Sequence, residues 1–195
     1  ATLSLAQAQK EITVLSYKVQ FLPGIAASHN KRPNPDYRAK RVAEEVSKFD
    51  IVGLQETFEP SHRAAIKEGV KAAWNGTLNS VESPLPKDFM ANGGRLLMTK
   101  LPIIASDAGV YEQFGKPEEY GFRAGGVAAK GAIWARIARS EAAKDEYIDV
   151  FVTHLEARAD DMRPLQYKEL AEFIGAKSDP KRPALLLGDL NTRGM

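Results

Sequence analysis

The chain contains no cysteine, which removes disulfides, thiolate metal sites and cysteine nucleophiles together. It has little net charge. The 27 Lys and Arg stand against 25 Asp and Glu in 195 residues, and a net +2 is too small for bulk electrostatics to announce nucleic acid. No apolar run approaches the roughly 20 residues needed to span a bilayer. There is no internal repeat and no low-complexity linker, so no boundary divides the body of the chain. With 44% hydrophobic residues, a chain of this length buries one sizeable core. Histidine is scarce as well. Of the three, His29 and His62 occupy polar or helix-start contexts and read as surface residues, whereas His154 interrupts an apolar strand and asks for a partner.

The first eleven residues read as an extension. Ala6-Gln7-Ala8 has the small-x-small form of a signal-peptidase site, so either export or a trimmed terminus in a cytoplasmic protein accounts for it. From residue 12 to residue 195 a single domain is expected. Residues 12–21 read as a strand halted by Pro23-Gly24. Asn34-Pro35-Asp36 reads as an N-cap opening a helix with Val42, Val46 and Phe49 on one face. Residues 51–54 form a strand ending at Gln55-Glu56, and Ser61 caps a helix carrying Ile66, Val70 and Ala73. Residues 94–99 and 103–114 read as strands joined around Leu101-Pro102. A glycine-rich loop over 120–129 precedes strands at 131–138 and 148–155. The spacing then predicts a helix over 163–174, with Tyr167, Leu170, Ala171 and Ile174 inward and Gly175 ending it. A last buried strand follows over 184–187.

Three strand ends carry polar chemistry. Glu56 would offer a hard oxygen to Mg²⁺ from the end of a strand, or open a loop as a solvated residue. His154 is a catalytic candidate or a hydrogen-bonded core residue. Asp189 and Asn191, two apart, would project the same way by strand periodicity, although Gly188-Asp189-Leu190-Asn191 also fits an Asx turn.

Taken with Ser16-Tyr17-Lys18-Val19-Gln20-Phe21-Leu22-Pro23, Asp50-Ile51-Val52-Gly53-Leu54-Gln55-Glu56, Gly93-Gly94-Arg95-Leu96-Leu97-Met98 and Thr153-His154-Leu155-Glu156-Ala157, these segments resemble the endonuclease/exonuclease/phosphatase (DNase I-like) superfamily. Ala129-Lys130-Gly131-Ala132, the His154 segment and the Leu22-Pro23 ending resemble its bacterial sphingomyelinase-like branch. The resemblance implies an α/β fold, a four-layer αββα sandwich of two mixed sheets flanked by helices, that hydrolyses phosphate esters with Mg²⁺ or another divalent cation. It implies that Glu56 binds the metal, that His154, Asp189 and Asn191 orient phosphate and water, and that Lys130 is a candidate phosphate ligand.

Two departures from that pattern stand out. Lys18 replaces the asparagine that the family places at the metal site; pointing inward it would pair with Glu56 and repel Mg²⁺, and pointing outward it would snorkel. The family's closing Ser-Asp-His segment, with its general base, would lie beyond Met195. The reading that leads is a phosphodiesterase acting on a membrane phospholipid headgroup through peripheral binding. A DNase-like nuclease is one alternative, with Arg136, Arg139, Lys144 and residues 177–182 as its basic clusters. A non-catalytic module that binds phosphate or protein is the other, favoured by Lys18.

Overall fold

The computed structural model describes residues 11–22, 32–120 and 127–192. Nearly all of the N-terminal extension, the Pro23-Gly24 turn, His29 and most of the glycine-rich loop therefore lie outside the described residues. Among those described, the strands are β1 (Val14–Phe21), β2 (Ile51–Thr57), β3 (Asn79–Glu82), β4 (Leu96–Thr99), β5 (Ile103–Val110), β6 (Gly131–Ser140), β7 (Ala143–His154) and β8 (Ala184–Asp189). The helices are α1 (Pro35–Val46), α2 (Pro60–Ala73), the short α3 (Pro117–Tyr120) and α4 (Met162–Lys177).

Two mixed sheets form, in the orders β1-β2-β4-β3 and β5-β6-β7-β8. The apolar residues sort into three layers of core because side chains alternate along each strand. Val19, Val52, Leu54, Leu96 and Met98 face α1 and α2, where they meet Ala39, Val42, Val46, Ile66, Val70 and Trp74. The opposite face of that sheet, with Ile51 and Leu97, packs on Ile133, Ala135, Ile137, Val150 and Val152 of the second sheet. Ala132, Leu155 and Tyr111 meet Leu170 of α4 on the outside. The result is the four-layer sandwich that the sequence led us to expect.

Several local expectations change. The α2 helix starts at Pro60 with Glu59 in the N-cap position, not at Ser61, and Asn34 stands before α1 in a left-handed conformation (φ 55°) without a side-chain cap bond. Ala73 is exposed. Leu101-Pro102 does join the strands on either side of it, and in doing so carries the chain from β4 in the first sheet to β5 in the second. The unanticipated β3 is an outer, half-buried strand whose only strongly apolar residue is Val81. In α4, Tyr167 and Ala171 face solvent, and Gln166 and Leu170 hold the buried positions. Gln166 can be buried because both ends of its amide are used, Oε1 accepting from Glu156 N (2.7 Å) and Nε2 donating to the Gln113 carbonyl (2.7 Å). Gly175 does not end the helix, which runs on to Lys177. The strand expected as buried, β8, is a sheet edge with Leu186 45% exposed. His62 is half-buried rather than fully exposed: its ring packs 5.0 Å from that of Phe21, and Nε2 lies 3.3 Å from the exposed Asp36.

Candidate functional site

The two sheets are pinched together where β1, β2 and β8 approach. A Cβ on Gly53 would stand 3.0 Å from both Leu187 and Val152 of the facing sheet, so only glycine allows this approach without displacement. Ser16 Oγ then accepts the backbone N–H of Gly188 at 3.1 Å, a hydrogen bond from one sheet to the other. Gly188 itself has φ 150°, and a side chain there would run into the Thr153 carbonyl.

Alternation carries polar side chains into the gap just past this pinch. Lys18 follows Ser16 by two, His154 follows Val152 and Asp189 follows Leu187, so all three continue the faces that form the inter-sheet core. In the parallel β7/β8 pair, His154 and Asp189 are direct register partners. Glu56 would fall on the opposite face of β2 by simple alternation. Its left-handed backbone (φ 62°) breaks that alternation, and its carboxylate reaches Lys18.

Lys18 points inward. Its Nζ donates to Asp189 Oδ2 at 2.6 Å and stands 3.1 Å from Glu56 Oε1, bridging two carboxylates from different sheets. Burial disfavours the Lys18 charge, but the bond to Asp189 and the charge of Glu56 outweigh it and hold the pKa above the ordinary lysine value. Burial likewise opposes ionisation of Asp189, yet the bond from Lys18 and the Asn191 N–H hold its carboxyl below the usual range. His154 is 1% exposed; burial and the nearby cations Lys130, Lys18 and Arg95 push its pKa well below the ordinary value, so it is neutral. Its Nε2 lies 3.8 Å from Asp189 Oδ2, too far for a hydrogen bond. Lys130 Nζ stands 3.1 Å from Nε2 and 3.2 Å from Nδ1 of the same ring.

Asn191 does not join this group as expected. It adopts φ 49°, its N–H donates to Asp189 Oδ1 (2.9 Å) and its side-chain amide donates to the Leu155 carbonyl (2.8 Å). The Asx turn thus holds the Asp189 carboxylate in place from behind. Arg95 and Glu156, given no role from sequence, lie fully buried close by. Arg95 Nη1 donates to the Ala129 carbonyl at 3.1 Å, and burial lowers its pKa to about 10. Glu156 Oε1 accepts the N–H groups of Ala157 and Arg158. A charged residue opening the apolar run Leu96-Leu97-Met98, and another ending the run of β7, were the available signals.

Lys130 is fully buried, and desolvation lowers its pKa from 10.5 to about 8. A lysine depressed in the folded state costs stability while both states are protonated. That cost is relieved as pH rises from about 8 to the unfolded value, where only the unfolded chain still holds the proton. We expect chemical denaturation to show stability climbing between pH 8 and 10, by up to about 3 kcal/mol. A Lys130→Met variant should lack that climb, and an equal climb in the variant would assign it to another group.

A divalent cation can be tested against these donors. Glu56 and Asp189 are the carboxylates facing the gap, and both already hold the Lys18 ammonium. Among the described residues no group of three or more His, Asp or Glu is arranged to hold a metal ion. An ion seated on Glu56 Oε1 at about 2.1 Å would stand within about 5 Å of Lys18 Nζ, a repulsion of several kcal/mol. With Lys18 as folded, the donor set does not fit the divalent ion.

Another concave surface lies elsewhere. A groove of about 660 Å³ at the opposite end of the sandwich is lined by Ile12, Val14, Ile148 and Leu185 with Arg139 and Arg182 on its rim. It holds no constellation comparable to the strand-end cluster, so charge convergence rather than depth marks the candidate site. Four of the basic residues considered for nucleic acid are paired internally: Arg136 with Asp149, Arg139 with Glu146, Lys144 with Glu141 and Lys177 with Asp107.

The comparisons agree with the fold. A sphingomyelinase of Dictyostelium discoideum is 26% identical over 200 residues, covering 85% of this chain and 42% of that protein. Staphylococcus aureus beta toxin, of which one variant was solved with bound magnesium ions, superposes with a TM-score of 0.73 at 18% identity. That match covers 94% of this chain and 66% of the toxin. The mannosyl-6-phosphatase Bt3783 of Bacteroides thetaiotaomicron superposes with a TM-score of 0.61 at 19% identity, covering 93% and 66% respectively. The chain thus spans under half of the curated relative and just under two thirds of these structures. A sequence model of the Endonuclease/Exonuclease/phosphatase family matches residues 15–194, nearly the whole chain, and this protein belongs to that family.

Proposed function

We propose that this chain acts on phosphate esters at the strand-end cluster, as a phosphodiesterase of the sphingomyelinase type whose substrate is a phospholipid headgroup met at the membrane surface. The carrying observation is the convergence of Lys18, Lys130, neutral His154 and ionised Asp189 from β1, the start of β6, β7 and β8 on one gap between the sheets. Lys18, 32% exposed, and Asp189, 23% exposed, are the members open to solvent. In this reading the lysine ammonium groups bind the phosphate oxygens, the imidazole holds one of them without bringing a charge of its own, and Asp189 orients the attacking water. The similarity to a curated sphingomyelinase supports the headgroup assignment. No described helix is long and apolar enough to cross a membrane, so contact with lipid would be peripheral in this part of the chain.

A nuclease reading has less support, because Arg136, Arg139, Lys144 and Lys177 are already paired within the fold. A binding module that holds phosphate without cleaving it is favoured by one observation, the Lys18 bridge across Glu56 and Asp189. The test is release of phosphocholine from sphingomyelin vesicles beside nicking of supercoiled plasmid, each in Mg²⁺ and in chelator. Phosphocholine release with intact plasmid is expected. Loss of every phosphoesterase signal while phosphocholine still binds would establish the binding module instead.

A further inference from the structure

The Lys18 ammonium sits where a cation would join the two sheets. It contacts Asp189 at the end of β8 and Glu56 at the end of β2, at 2.6 and 3.1 Å, and the carboxylates approach it from opposite sheets. Two of its three N–H donors are engaged in this way, and the side chain keeps a solvent-facing surface. The wider cluster balances without any added ion: Lys18, Lys130 and Arg95 stand against Glu56, Asp189 and Glu156, with His154 neutral. A divalent cation would add two charges to a balanced site, whereas a phosphate needs one further donor and a favourable field.

We propose that Lys18 is the resident cation of this site: its ammonium, clamped between Glu56 and Asp189, occupies the position a divalent ion would take and donates its third N–H to an oxygen of the incoming phosphate. Phosphate binding by this chain is therefore independent of Mg²⁺, and the residue at position 18 decides whether the site takes metal. The proposal rests on the phosphate-ester reading for its ligand class, but its metal arm stands without it.

The test uses the full chain, with Mn²⁺ binding followed by electron paramagnetic resonance, Mg²⁺ by calorimetry and phosphocholine by calorimetry in Mg²⁺ or in chelator. The wild type is expected to show no saturable metal binding in the submillimolar range and the same phosphocholine affinity in both buffers. Lys18→Asn leaves Glu56 and Asp189 without their cation, and it should bind either metal tighter by roughly 100-fold or more. Its phosphocholine binding should then become sensitive to chelator. The wild-type titrations need no variant and decide the matter even if Lys18→Asn folds poorly. Tight metal binding by the wild type, or phosphocholine binding that chelator abolishes, overturns the resident cation and leaves the phosphate-ester reading standing. A wild type that binds phosphocholine in neither buffer and cleaves no ester overturns both.

Discussion

His154→Gln should lower kcat for phosphocholine release by roughly 100- to 1,000-fold while the melting temperature stays within about 5 °C of the wild type. Glutamine approximates the length of the imidazole and keeps a donor and an acceptor, so the loss reports on the ring rather than on a cavity. The ring is special here because burial and three neighbouring cations keep it neutral. A neutral donor can hold a phosphate oxygen beside Asp189 without forming an ion pair with that carboxylate, from which it stands 3.8 Å away. Glutamine carries one amide nitrogen and no rigid ring, so it cannot keep two nitrogens beneath Lys130 at 3.1 and 3.2 Å. A rate within about tenfold of the wild type would make His154 a core residue that happens to border the gap.

Asp149→Ala should destabilise the chain by about 3 kcal/mol, the largest effect expected from a residue away from the site. Its carboxylate is fully buried and accepts three hydrogen bonds: from Trp134 Nε1 at 3.0 Å, Arg136 Nε at 3.0 Å and Arg136 Nη2 at 3.1 Å. Alanine strands a guanidinium and an indole N–H together. The Arg136 side chain is partly open to water, which places the cost at the lower end of the range for broken buried pairs. The melting temperature should fall by about 6–12 °C for a chain of this size. Arg139→Ala is the control, since it and its partner Glu146 are both exposed; a change beyond about 0.5 kcal/mol is not expected there. Equal effects in the two variants would mean that burial of Asp149 matters less than its geometry suggests.

Much of the architecture was legible because apolar periodicity reports it directly. The strand at 131–138, the later half of β7 and the helix with Val42 and Val46 appear where expected, since their burial pattern is written in consecutive side chains, although β7 already starts at Ala143 and α1 ends before Phe49. Legibility fails where polar residues are buried with partners distant in sequence. Gln166 looks like a solvent position on α4 and is a buried one, because its partners Gln113 and Glu156 lie on other segments. Tyr167 looks apolar enough for the core and is exposed for the complementary reason. The β8 strand reads as buried from Leu185-Leu186-Leu187, but burial also depends on which neighbours flank a strand, and among the described residues β8 pairs with β7 alone.

By itself the sequence determined the family, the polar residues delivered at the ends of three strands, and the absence of thiol chemistry. Only the tertiary structure decided that Lys18 turns inward onto Glu56 and Asp189, and that Asn191 supports the site from behind instead of entering it. The physical reason is that alternation sets the face on which a side chain lies. What it touches depends on the distance between sheets, set here by Gly53 and the Ser16–Gly188 bond, and on left-handed residues such as Glu56 and Asn191 that redirect the chain at strand ends.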